Sequence, residues 1–262
     1  MAEDAVDNGA VKIDRILSRA AGTIRNNPLI VLGLGLVLGG IPAALFQTVT
    51  ATRDTQGDAV QLVVLLQVAG AAGLGMLLCY ALLQAALVPA TLAEEEGGKA
   101  SLGECASGAL RSLLPLVGLN ILLWVAIGFG TMLLVVPGII LAVIWAVASP
   151  ALVAERTGLF GAFSRSKMLT RGARWKVFGV ELVGLIFIWL ASAALNLVLV
   201  ASVGSRAFLA SGTGVPIWYA LLTALVQAVI ITFWSTLQAS LYVELRNWTD
   251  GPQGAALAKV FA

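Results

Sequence analysis

Forty-three consecutive residues, Ser112 to Ala154, carry no charge. As one helix this run would be about 65 Å long, roughly twice the 30 Å of hydrocarbon in a bilayer. It must therefore fold back on itself. Pro137-Gly138 is the natural turn, predicting one span over 114–135 and another over 139–154. The second is short, contains Pro150 and stops abruptly at Glu155-Arg156. It reads either as a kinked full crossing or as a re-entrant segment, whose unpaired backbone must be satisfied by protein or water.

Other uncharged runs extend the argument. Twenty-seven residues separate Arg25 from Arg53, and 35 separate Asp58 from Glu94. They predict spans over 28–47 and 61–88, and apolar stretches after Lys176 and Arg206 add spans over 177–200 and 216–243. Gly35 and Gly39 form a GxxxG pattern that suits close helix contact. With 59% hydrophobic and 11% charged residues and a mean hydropathy of +0.95, the composition lies far from the soluble norm of about 25% charged. The reading is one all-α polytopic membrane domain of six transmembrane helices over 1–262. Its first twenty residues, MAEDAVDNGAVKIDRILSRA, lack the basic start and apolar stretch of a signal peptide, so no cleavage is expected.

Between the spans lie three segments predicted as interfacial amphipathic helices, at 11–25, 100–112 and 157–173. In the first, Val11, Ile13, Ile16, Leu17, Ala20, Ala21 and Ile24 share one face, opposite Lys12, Asp14, Arg15, Arg19 and Thr23. Asn27-Pro28 ends it. The second follows the acidic loop Glu94-Glu95-Glu96 and opens on a Ser101/Glu104 capping box. The third is basic: Arg156, Arg165, Lys167, Arg171, Arg174 and Lys176 fall within 21 residues that contain no acid. Tyr242 and Trp248, in the LYVELRNWTDG that ends the last span, read as interface anchors.

Lysines and arginines assign the sides. With the N terminus inside, fourteen lie in the N-terminal, 94–111, 156–176 and C-terminal segments, and only Arg53 and Arg206 lie opposite. The positive-inside rule then places both termini in the cytoplasm. RNNPLIVLG from Arg25, RSLLPLVG from Arg111 and RGARWKVFG from Arg171 each lead into a span pair, a pattern that reads as a three-fold helix-plus-hairpin repeat.

The chain has no histidine, which removes His-based triads, His-ligated zinc and His acid/base pairs within it. Cys79 and Cys105 stand at no ligand-like spacing. No metal, cofactor or nucleic-acid partner is expected, and no nucleophile and base are placed for catalysis. Glu155 and Arg165 suit a structural clamp that docks the basic helix beneath the fourth span. Glu181, Asn120, Asn196, Gln227 and Gln238 are polar residues within apolar spans. Of these Glu181 is the foremost, either as an intramembrane functional site or as a snorkelling partner of Arg174 or a neighbouring cation.

VPGIILAVIWAVASPALVAERTGLFGAFSRSKMLTRGARWKVFG, with SRAAGTIRNNPLIVL before it and LYVELR after it, resembles a family of bacterial membrane proteins. This family comprises the YciC-like proteins and the membrane domain fused to some glycerophosphoryl diester phosphodiesterases. The resemblance rests on Pro137-Gly138, Pro150, Glu155, the run Ala162 to Ser166 and the Thr-x-Gly at Thr170. Members often have a basic residue midway along the short span, where this chain has Ile144 and Trp145. The catalytic phosphodiesterase domain is not expected, since its His-dependent chemistry has no residues here. The resemblance implies a bacterial inner-membrane protein, and the basic segment with the three interfacial helices points to a non-enzymatic role. Its basic segment would engage anionic lipid headgroups or partner membrane proteins, or would serve only to orient the chain. The alternative is a small-solute or lipid transporter using Glu181, Asn120 and Asn196.

Overall fold

The computed structural model describes residues 11–26, 28–51, 59–95, 102–203 and 217–251. Arg53, Arg206, Glu96 and Ser101 lie outside them, as do the side chains of Glu94, Glu95, Glu104 and Cys105. The described residues form helices joined by short turns, with no strand among them. In chain order these are α1 (Ile13–Asn26), α2 (Pro28–Gly35), a π-helical turn (Leu36–Gly40), α3 (Ile41–Ala51), α4 (Ala59–Glu95), α5 (Leu102–Leu133), α6 (Val135–Ile144), α7 (Ala148–Glu155), α8 (Gly158–Leu169), α9 (Arg174–Val203) and α10 (Ile217–Asp250). Among the described residues, six stretches are long and apolar enough to cross a membrane: Pro28–Phe46, Gly70–Leu92, Arg111–Leu133, Val135–Glu155, Arg174–Val198 and Ile217–Asp250.

The first of these runs through α2, the π turn and α3. A π turn takes one extra residue into the helix, and here it coincides with the approach to α10. An added Cβ would collide with Thr232 from Gly35 and with the Ala224 carbonyl from Gly40, and would press tightly on Ile231 from Gly39. The GxxxG pair therefore does lie at a close helix contact, extended by Gly40. Small residues serve the same purpose at the α4, α5 and α7 junction, where Ala81, Ala85, Ala86, Ala90, Ala148 and Ala162 pack with Leu116, Leu119 and Leu152. In lipid, where apolar burial between helices gains little, close backbone approach supplies the association energy.

The α5–α6 hairpin turns three residues earlier than the sequence predicts. Leu134 is the extended residue between the helices, while Pro137 and Gly138 sit in the first turn of α6. Proline there forfeits only a donor that has no intrahelical partner, so it starts the helix as readily as it would end one. Gly138 lies against Thr131, which leaves no room for a Cβ. The fourth segment is also interrupted, at Trp145–Val147 rather than at Pro150. Pro150 lies in the first turn of α7, again where proline costs little. Nor is 100–112 a separate helix: residues from Leu102 onward are the opening turns of α5, which passes Pro115 without a break.

Helices of 30 to 37 residues such as α4, α5, α9 and α10 measure about 45 to 55 Å. They exceed the hydrocarbon thickness and project beyond it. On the side that carries α1 and α8, the projecting end of α10 becomes the hub of the molecule. Leu237, Leu241, Tyr242, Val243 and Leu245 pack there with Ile16 of α1, Ala151 of α7, Leu169 of α8 and Val177 and Val180 of α9.

Candidate functional site

At the hub, three separated segments meet through charge. Arg165 on α8 donates from Nε to both carboxylate oxygens of Glu155 at 2.8 Å. Its terminal nitrogens bond Asp250 at the end of α10. Tyr242 donates its hydroxyl to Glu155 at 2.8 Å. Burial works against the Arg165 charge, but the hydrogen bonds to Asp250 and Glu155 outweigh it and hold the guanidinium above its ordinary range. Glu155 and Arg165, the two residues of the predicted clamp, are thus in contact, and Asp250 and Tyr242 join them. Tyr242 is a correction. It is fully buried, because a hydroxyl so placed satisfies a carboxylate better than it would anchor a headgroup.

Glu244, only 4% exposed, is a second anchor. Arg15 lies 3.3 Å from it and Arg19 3.6 Å, and the Lys12 amide donates to it at 3.5 Å. These contacts set α1 on the protein: Ile16, Ala20 and Thr23, spaced at i, i+4 and i+7, form its buried face. Ala21, assigned to the apolar face, is exposed instead, and Thr23 is buried by returning its hydroxyl to the Arg19 carbonyl. Nothing in the residue pattern alone marks Glu244. One acid inside the apolar run LYVELR is the only signal that could have found it.

The break in the fourth segment is also held from α8. A helix end leaves carbonyls without partners, and the Ile144 carbonyl accepts from Ser166 Oγ at 2.9 Å and Thr170 Oγ1 at 3.3 Å. These two residues lie four apart on the buried face of α8 with Ala162 and Leu169. Beyond α7, Arg156 takes a left-handed conformation, φ 52°, that caps the helix. After α8, Gly172 has φ 93° and lies under Trp248, where a Cβ would meet the ring at 3.0 Å.

The basic residues therefore divide. Arg165 is consumed by carboxylates. Arg156, Lys167, Arg171 and Arg174 are exposed, Lys176 is partly so, and none of the five has an ion pair among the described residues. Beside them stand Phe160 at 77% and Trp175 at 86% exposure, with Met168 also exposed.

The polar residues in the spans do not converge as expected. Asn120 returns its amide to the Leu116 carbonyl and Asn196 to the Ser192 carbonyl, each closing on its own helix four residues back. Glu181 pairs with neither these nor Arg174. Its Oε1 accepts from Gln238 Nε2 of α10 at 2.9 Å. A helix-borne cation five to seven residues away must bend back along its own axis, whereas Gln238 faces Glu181 directly. Cys79 is a free, partly buried thiol, and the described residues hold no cluster of three or more His, Cys, Asp or Glu placed to bind a metal ion.

Fold and composition together define a multi-pass, all-helical membrane protein. Comparison with protein families, curated proteins and solved structures finds no match to the chain.

Proposed function

We propose that this is a non-enzymatic protein of the bacterial inner membrane, with both termini cytoplasmic. Its exposed basic segment engages anionic lipid headgroups or an anionic surface on a partner membrane protein. One observation carries the reading. The fold spends Arg165 on carboxylates but leaves Arg156, Lys167, Arg171 and Arg174 exposed without them, next to Phe160, Met168 and Trp175. A charge kept only for orientation needs no aromatic companions, whereas Trp and Phe beside Lys and Arg suit the headgroup level. Each cation near an anionic leaflet contributes about 1 kcal/mol. The three-fold helix-plus-hairpin pattern and the YciC-like kinship belong to the same proposal, resting on the motifs around Pro137-Gly138 and Arg165-Ser166.

The test compares the wild-type protein with a variant carrying Lys167→Gln, Arg171→Gln and Arg174→Gln, none of which touches the clamp. Native mass spectrometry and flotation with phosphatidylglycerol vesicles should show anionic lipid retained by the wild type and lost from the variant. Equal retention in both would reduce these charges to an orienting role.

A further inference from the structure

We propose that Glu181, Gln238, Gln84 and Tyr80 form an intramembrane site for a single positive charge, a sodium ion or a proton. The inference is independent of the basic segment and stands on what the cluster lacks. Glu181 lies within the fifth span, seven residues or about 10 Å past Arg174, and has no ion-pair partner among the described residues. A carboxylate at that depth is costly unless compensated. The hydrogen bond it accepts from Gln238 comes from a neutral amide.

The neighbouring atoms deepen the deficit. Gln84 of α4, itself buried, donates Nε2 to Tyr80 Oη at 3.0 Å. Leu83 and Leu87 of α4 pack with Ile231 of α10 and Gly184 of α9 lies against Trp234 and Leu237 of α10, so the three helices meet at the level of this polar cluster, where Glu181 acts electrostatically on the Tyr80 hydroxyl. With the amide donors used in this way, Gln84 Oε1 and Gln238 Oε1 are buried without partners among the described residues, as is Ser235 Oγ on α10. Turning Gln238 over would set its carbonyl against the carboxylate, so its free oxygen is dictated by Glu181. Two amide oxygens, a hydroxyl and one carboxylate are hard oxygen ligands carrying a single negative charge. They suit a small monovalent cation, or a proton taken from hydronium that sits on the carboxylate and donates to an amide oxygen.

Few other charges face the site. Tyr80 is the titratable group acting on it from α4. On α10 the nearest charge beyond Gln238 is Glu244, held by Arg15 and Arg19. The α1 helix brings Ile13 to Gly179 of α9, and α6 has no charged residue.

The experiment labels purified protein with a lipophilic carbodiimide, which adds to a protonated carboxyl group, and reads Glu181 by peptide mass spectrometry between about pH 5 and about pH 9. Thermal melts run beside it in sodium, potassium or choline chloride at equal ionic strength. Labelling that falls as pH rises, without sodium protection, identifies the proton. Labelling suppressed by sodium but not choline, with a sodium-specific rise in melting temperature that Glu181→Gln abolishes and Gln84→Leu diminishes, identifies the ion. Absence of labelling across the range, together with equal melts in all three salts, overturns the site. A Glu181→Cys variant that reacts with a lipophilic maleimide shows that reagent reaches the position.

Discussion

Arg165 Nε lies 2.8 Å from each carboxylate oxygen of Glu155, ten residues earlier in the chain. Ten residues along one helix would place the two side chains about 15 Å apart, so their contact exists only because the chain reverses at Arg156 and Gly158. The same guanidinium reaches Asp250 and the same carboxylate receives Tyr242. The end of α10 is thereby joined to both arms of the reversal.

Removing the shared acceptor strips two partners at once. Glu155→Ala is expected to cost about 2 to 3 kcal/mol, below the range for a fully buried pair because both side chains keep some exposure. Tyr242→Phe, which deletes one hydrogen bond, should cost less than half of that. Thermal inactivation rates in detergent give the comparison. Wild-type stability of Glu155→Ala would mean the contact is ornamental.

Glu244→Ala should release α1 without unfolding the membrane helices. Arg15 and Arg19 lose their common carboxylate, and the apolar face of α1 is too short to hold alone. Hydrogen exchange over 13–26 should rise by an order of magnitude or more, roughly the effect of 1.4 kcal/mol, while exchange over 80–92 stays unchanged. Uniform loss of protection would instead make Glu244 a global determinant.

At the interrupted fourth segment, Ser166→Ala combined with Thr170→Val leaves the Ile144 carbonyl without its two donors. A buried unsatisfied carbonyl costs about 1 to 3 kcal/mol. The expected signature is local, with faster amide exchange at residues 145–148. Unaltered exchange there would show that another group satisfies the carbonyl.

Glycines offer an internal contrast. Gly40→Ala forces a Cβ into the Ala224 backbone, and overpacking of this kind costs roughly 1 to 3 kcal/mol. Gly33 has open space around it, so Gly33→Ala should be neutral or stabilising by up to about 1 kcal/mol. Paired melting curves decide the matter, and similar losses at both positions would contradict the α2–α10 contact.

Much of the architecture was legible in the residues because water-to-lipid partitioning is a property of composition along a window. The uncharged runs located six apolar helices, and the 43-residue run required a fold-back whatever its turn. The clamp was also legible, since an acid and a base flank a short reversal. Proline positions misled for a local reason: Pro137 and Pro150 are compatible with either a helix start or a helix stop, and only the neighbouring carbonyls decide which. Asn120 and Asn196 read with Glu181 as one intramembrane polar site because polarity is visible in sequence while the direction of a side chain around a helix is not.

What the chain by itself determined, then, is partition: which stretches enter lipid, where cations collect, and that no histidine chemistry is available. Pairing was decided by the tertiary structure. Glu244 with α1, Asp250 with Arg165, Ser166 with the Ile144 carbonyl and Gln238 with Glu181 join residues 22 to 229 positions apart. Hydropathy acts through the average of a window, but a hydrogen bond acts over about 3 Å and in one direction. Its partner is fixed only when helix rotation, depth and crossing are fixed, and those follow from the close glycine and alanine contacts that bring α10 against its neighbours.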